Sequence, residues 1–182
     1  MLSAAIELLV TDGAEGFTTR NVARRAQTST PAVYELFGDK GGLLREVFFS
    51  GFRRLREAFD ALEPVDDPVD GLIGLAYAYR TFARDNQMLV EIMFSRPFIE
   101  FEPGPEDLAA TASVRAFVVD AVQRCIDARL MAGDATDIAH IFVVLAQGLA
   151  AAENSRRLGE STANVDRRWD LAMRALVNGL AP

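Results

Sequence analysis

Cysteine and histidine each occur once in 182 residues, as Cys125 and His140. A lone thiol excludes an intrachain disulfide and any zinc site built from several thiolates. A lone imidazole removes most histidine-based metal chemistry, so neither metal nor cofactor is expected. There is no Gly-rich phosphate loop and no nucleophile–base pairing signal. The carboxylates of DDPVD lie in a Pro-rich linker, where they read as caps and solvation, so an enzyme is not expected. No uninterrupted apolar run approaches the ~18 residues of a membrane span, and no membrane partner is expected. The start, MLSAAIELLVTDGAEG, carries Glu7 and Asp12 and no basic region, unlike a signal peptide. Half the residues are apolar and a quarter charged, the composition of an ordinary globular chain, and a cytoplasmic protein is expected.

Positive charge is also scarce. The net charge is −7, which argues at first against a polyanion partner. Its distribution qualifies that. Residues 1–60 hold eight basic and eight acidic side chains, and residues 61–182 hold eleven and eighteen. The whole deficit therefore sits in the C-terminal two-thirds, and the first third is neutral.

What the chain has in abundance is helical periodicity. Leu2, Ala5, Ile6 and Leu9 share one face of a first helix ended by Asp12-Gly13. Thr18 or Thr19 can cap a short second helix that buries Val22, Ala23 and Ala26. After QTS, Thr30 is expected to cap a third helix with Pro31 at its first position, and Gly38 to end it. Asp39 caps a long fourth helix, and EPVDDPVD is the one clear linker. A fifth helix covers about 69–85, a short sixth runs to about Phe94, and SRPFIEFEPGP is a loop. A seventh spans about 106–132 and ends at Gly133. An eighth, about 136–157, is apolar on most sides and should be buried against more than one neighbour. A ninth, about 163–180, carries a stripe of Val165, Trp169, Ala172, Met173, Leu176 and Leu180. The fold class is all-α, with about nine helices.

A short helix, a three- or four-residue break and another short helix form a helix-turn-helix, whose second helix enters the major groove. The same two helices could instead be an ordinary part of a bundle. Here the residues GAEGFTTRNVARRAQTSTPAVYELFGDKGGLLREVF carry a more specific likeness. In Phe17, Thr19, Val22, Ala23, Ala26, Ser29, Tyr34, Phe37, Lys40 and Leu43-Leu44 the chain resembles the DNA-binding domain of the TetR family of transcriptional repressors.

That resemblance implies a three-helix helix-turn-helix head over residues 1–45 and a helical effector-binding and dimerisation domain over 46–182. Its implied partners are a double-stranded palindromic operator, a small apolar effector and a second copy of the chain. Tyr34 and Lys40 fall on phosphate-contact positions, and Thr19 and Arg20 are similarly placed to reach the backbone. The exposed side of the third helix, with Thr28, Thr30, Ala32 and Glu35, would face base edges. The cations expected to steer DNA are Arg20, Arg24, Arg25, Lys40, Arg53 and Arg54. The sequence departs from the family where Gln27 replaces the usual turn glycine, and where Glu35 and Leu36 replace polar, basic or aromatic residues. Numbering also begins inside the first helix, ahead of which the family commonly carries a basic arm. Gly41 and Gly42 either bring backbone N–H groups close to a phosphate or form a tolerated turn.

In the acidic part, Val144, Gly148, Ala151 and Ser155 form a small-residue line on the eighth helix, suited to close helix approach. With Trp169, Met173 and Leu176 of the ninth helix they are the expected dimer interface. Tyr79, Phe82, Met88, Phe94, Phe117, Phe142 and Gln147 are the expected effector residues, against the alternative that such residues are plain core. The stretch VLAQGLAAAE resembles a subgroup of the family with a His-Gly pair, Gln147 standing for the His. The competing reading is a helical ligand-binding or adaptor protein whose head no longer binds DNA.

Overall fold

Ten α-helices and no strand make up residues 1–95 and 101–182, the part that the computed structural model describes. Part of the expected SRPFIEFEPGP loop, residues 96–100, lies outside the described residues. In α1 (Leu2–Gly16) the helical path is interrupted at Gly13, which takes φ 66° and ψ −165°. A further turn then leads to Phe17, which is completely buried.

Caps written into the sequence start the next three helices. The Thr18 hydroxyl accepts from Asn21 N at 3.1 Å to open α2 (Thr19–Arg25). The Ser29 hydroxyl accepts from Ala32 N at 3.3 Å to open α3 (Thr30–Phe37). Thr30 is thus the first helical residue and not the cap, and Pro31 moves one place inward. Both residues could cap, and the first turn tolerates proline at either place because its N–H would be unbonded anyway. Gly38, at φ 78°, ends α3. Asp39 then accepts from Gly42 N at 2.8 Å to open α4 (Lys40–Asp60). Each such cap contributes about 1 kcal/mol.

The later helices are α5 (Pro68–Asp85), α6 (Gln87–Phe94), α7 (Pro105–Ala110), α8 (Ala112–Asp127), α9 (Ala135–Asn154) and α10 (Thr162–Gly179). Asp67, Asp134 and Ser161 cap α5, α9 and α10 through their side-chain oxygens. The expected seventh helix is two helices. Thr111 separates α7 from α8, its hydroxyl donating to Leu108 O at 2.8 Å. The expected end at Gly133 is too late: α8 stops at Asp127, where Arg129 turns to φ 59° and Leu130 N donates to Cys125 O at 2.9 Å.

Two compact units result, Met1–Leu55 with Asn86–Ala112, and Arg56–Asp85 with Ser113–Pro182. Residues 86–112 belong with the N-terminal segment because α6 packs on α1. Compactness therefore divides the chain differently from the expected functional segments, 1–45 and 46–182. A polar tie joins α4 to α7 in the first unit. Asp107, 3% exposed, accepts from the Arg45 guanidinium and from Gly104 N at 2.9 Å. Burial alone would raise this carboxyl, but its hydrogen bonds from Arg45 and Gly104 and the Arg45 charge outweigh it and hold it below the usual range.

The second unit packs α5, α9 and α10 against one another. Trp169 is its largest fully buried side chain, and its indole N–H donates to Glu153 Oε2 at 2.7 Å. Arg80 also donates to Glu153, from Nε at 2.7 Å and from a terminal nitrogen at 2.9 Å. The same guanidinium lies 2.7 Å from Asp166 and 5.4 Å from the Trp169 ring centroid. One carboxylate thus gathers donors from α5 and α10 at the end of α9.

Candidate nucleic-acid interface

The candidate surface is built from the start of α2, the whole of α3 and the start of α4. Between α2 and α3 the chain reverses through Gln27 at φ 53°. Thr28 N donates to Ala23 O at 2.9 Å and Gln27 N to Arg24 O at 3.2 Å, closing the turn over the end of α2. A non-glycine residue in this left-handed region costs about 1 kcal/mol. The hydrogen bonds and the following Ser29 cap hold the turn without the glycine.

Two of the expected phosphate residues meet across the helices. Thr19, the first residue of α2, donates from its hydroxyl to the Tyr34 phenol oxygen at 3.3 Å. Tyr34 is 49% exposed, and Arg20, next to Thr19, is exposed as well. Two hydroxyls and a guanidinium therefore share one outer edge of the head. Lys40 begins α4 and is half-buried.

The expected base-facing residues are less prominent. Thr28, Thr30 and Ala32 are half-buried, whereas Pro31, Glu35 and Leu36 are exposed. Arg25 is committed elsewhere: it donates to Thr11 Oγ1 at 3.2 Å and stands 3.9 Å from both Glu7 and Asp12. Its charge is partly offset within the head.

Gly42 has a steric reason. A Cβ built on it would lie 1.9 Å from the Phe37 carbonyl oxygen and 3.1 Å from the Phe37 carbonyl carbon. The first turn of α4 rides directly on the last residue of α3, and only glycine allows that approach. No phosphate is needed to explain this position.

The expected effector residues are divided between the units. Met88 and Phe94 belong to the first, Tyr79, Phe82, Phe117, Phe142 and Gln147 to the second. Tyr79, Phe82 and Phe142 are buried, and burial pushes the Tyr79 phenol well above its ordinary range. Phe117 is held by Phe59, with ring centroids 5.8 Å apart, and by Arg56, whose guanidinium carbon lies 4.4 Å from its centroid. Phe94 makes an edge contact with Phe52 at 5.6 Å, and Gln147 is half-buried. The second unit also opens a cleft of about 760 Å³ that includes none of these residues. Its lining mixes the charged Arg80, Arg84, Arg156, Glu153, Glu160 and Asp166 with Tyr77 and Val165.

The expected dimer residues separate by helix. On α9, Val144, Gly148, Ala151 and Ser155 are all exposed, and Ile141 extends the line. On α10, Trp169 and Met173 are completely buried within the chain and Leu176 is half-buried. Trp169 and Met173 are core, because Glu153 and the α5 side of the unit already cover that stripe. The exposed apolar residue of α10 is Leu171, 66% accessible, which periodicity alone did not single out. Helix α9 has the length and apolarity of a membrane span, yet only 28% of that window is buried within the chain. It packs against two neighbours as expected, α5 and α10, and the line from Ile141 to Ser155 is left exposed.

Residues 1–47 match the family described as bacterial regulatory proteins, tetR family. Residues 72–176 match the one described as tetracyclin repressor-like, C-terminal domain. No curated protein matches the chain. Among solved structures, a protein of unknown function from Rhodococcus sp. RHA1 is 27% identical over 100% of this chain and 93% of its own, with a TM-score of 0.86. A TetR variant from Acinetobacter baumannii AYE in complex with minocycline is 20% identical over 98% and 92%, with a TM-score of 0.67. The TetR family transcriptional regulator PfmR from Thermus thermophilus is 19% identical over 95% and 96%, with a TM-score of 0.69.

Proposed function

The chain belongs to the TetR family of DNA-binding transcriptional regulators, and from that premise we propose that it is a homodimeric, cytoplasmic repressor released from a palindromic operator by a small apolar effector. The observation that carries the DNA-binding assignment is the Thr19–Tyr34 hydroxyl contact at 3.3 Å. It sets two phosphate-capable groups beside exposed Arg20, with α3 next to them. We assign Thr19, Arg20, Tyr34 and Lys40 to phosphates, and Thr28, Thr30 and Ala32 to base edges at the entry of α3. DNA binding belongs to residues 1–45, and effector binding and dimerisation to 46–182.

Phosphate contacts predict a salt signature. Lys40→Ala should weaken binding to every DNA sequence alike and reduce the slope of log K against log salt by about one. Fluorescence anisotropy over a salt series measures both. An unchanged slope would remove Lys40 from the interface.

The dimer assignment rests on α9. An apolar helix with 28% of its span buried needs a cover, and Ile141, Val144, Gly148, Ala151 and Ser155 recur at spacings of three and four. A second α9 lying along this line is the cover we propose, with Leu171 of α10 at its margin. A side chain at Gly148 meets nothing within 4 Å in one chain, so Gly148→Glu should fold normally. It would set two carboxylates across the dimer axis and weaken association by about 100-fold or more. Sedimentation velocity should show a dimer for the native protein and a monomer for the variant. A native monomer at micromolar concentration would sink the homodimer.

The effector is assigned to the second unit, where Tyr79, Phe82, Phe142 and half-buried Gln147 combine apolar walls with sparse polar groups. No enzymatic step enters this reading. Selection of bound DNA from a random double-stranded pool, with and without apolar ligands, tests the whole. A protein that enriches no palindrome would fit the ligand-binding or adaptor alternative instead.

A further inference from the structure

We infer that Glu35 is the specificity-determining residue of α3 and accepts a hydrogen bond from the N4 amino group of a cytosine in each operator half-site; this rests on the DNA-binding reading above. Helix α3 buries Val33 completely. At about 100° per residue, Glu35 lies almost diametrically opposite Val33. Around the helix from the Thr19 side the outward order is Tyr34, Pro31, Glu35, Ala32, Leu36. Glu35 is central and exposed, and no hydrogen bond or ion pair among the described residues engages it.

The chemistry of that face is narrow. Within TPAVYELF there is no Arg, Lys, Asn or Gln, so the usual donors to guanine O6 and N7 and the amide pair for adenine are missing. A carboxylate at the centre offers acceptors only and enters a groove flanked by phosphates. It is tolerated there only opposite an amino donor, which cytosine and adenine present and guanine and thymine do not. Adenine sets its N7 acceptor beside the N6 amino group, where a second carboxylate oxygen would be repelled. Cytosine has a carbon in the equivalent place, so cytosine is preferred. Leu36, 62% exposed, and Ala32 flank the carboxylate with apolar surface, which suits a thymine methyl at the adjoining step.

The test is selection from a random double-stranded pool at one fixed salt concentration, using the full chain, Glu35→Gln and Glu35→Ala. Circular dichroism checks the fold of each. The native protein should enrich a palindrome with cytosine at one position of each half-site. Glu35→Gln should move that preference to adenine, which an amide contacts through both N6 and N7. Glu35→Ala should cut discrimination at that position by about tenfold, tightening binding to sequences that lack the cytosine. A native palindrome whose every position is unchanged in both variants overturns the role of Glu35 and leaves the regulator standing. Failure of the native chain to enrich any sequence overturns the regulator reading itself, and this inference with it.

Discussion

Replacing Gly42 with alanine should destabilise the head by about 1–3 kcal/mol, although helix propensity alone favours alanine by about 1 kcal/mol. The sign is decided by contact with backbone. A Cβ at this position stands 1.9 Å from the Phe37 carbonyl oxygen, roughly 1.5 Å inside ordinary van der Waals contact. The obstacle is a carbonyl oxygen at the end of α3, so no rotamer change can make room. The start of α4 must lift away from α3. Lifting it breaks the 2.8 Å bond from Gly42 N to Asp39 Oδ1 and disturbs the 3.1 Å bond from Leu43 N to Asp39 O. It also displaces Leu43 and Leu44, both completely buried in the head.

Overpacking of this kind costs about 1–3 kcal/mol, and loss of a cap about 1 more. Together they exceed the propensity gain. In a chain of this length each kcal/mol moves the melting temperature by about 2–4 °C, so a fall of roughly 2–12 °C is expected. DNA affinity should fall with it, because Lys40 begins the displaced turn. Gly74→Ala in α5 is the control: a Cβ there meets nothing within 4 Å, and stability should rise by up to ~1 kcal/mol. Calorimetry of both variants separates the steric argument from propensity. A Gly42→Ala protein that melts at or above the native temperature would refute it.

The head was readable because its signals are local. Thr18, Ser29, Asp39 and Gly38 act within three residues of themselves, and such caps are visible to anyone reading along the chain. The one-residue error at Thr30 arose where two adjacent hydroxyls compete for the same duty. The ends of α8 and α9 were less readable. Arg129 and Arg156 take positive φ there, at 59° and 58°, and nothing in an arginine announces that. The break at Thr111 lies between two alanines and is fixed by one hydroxyl bond to Leu108.

The site was partly readable for a related reason. Periodicity identifies an apolar stripe but not whether the chain itself or a partner will cover it. The α9 line and the Trp169 stripe looked alike in sequence, yet one is exposed and the other is buried at Val165, Trp169 and Met173. What distinguishes them is Glu153, sixteen residues before Trp169 and seventy-three after Arg80. A partnership at that separation leaves no local pattern. The same holds for Arg45 and Asp107, sixty-two residues apart.

Glu153→Ala is therefore expected to destabilise the second unit by about 3 kcal/mol. Its carboxylate accepts three hydrogen bonds, two from Arg80 and one from Trp169. The Arg80 and Glu153 side chains are only 11% and 17% accessible, so water replaces few of those bonds. Removing one partner of a fully buried pair costs about 3–5 kcal/mol, and an unpartnered buried N–H about 1–3. The residual exposure and the surviving 2.7 Å contact from Arg80 to Asp166 lower the sum. A purely superficial ion pair would contribute about 0–1 kcal/mol instead. At about 2–4 °C per kcal/mol, the expected fall is roughly 6–12 °C. Glu153→Gln keeps one acceptor but turns an amide toward the guanidinium, so it should lie between the two. In a double-mutant cycle with Arg80→Ala the losses should be less than additive, because each single change disrupts the same bonds. The clamp also holds the end of the helix whose outer line we assign to the dimer. Self-association should weaken in Glu153→Ala, although no substituted atom lies on that line. A variant that melts within about 1 °C of the native protein would place Glu153 among ordinary surface pairs and leave Trp169 packing alone to join α10 to its neighbours.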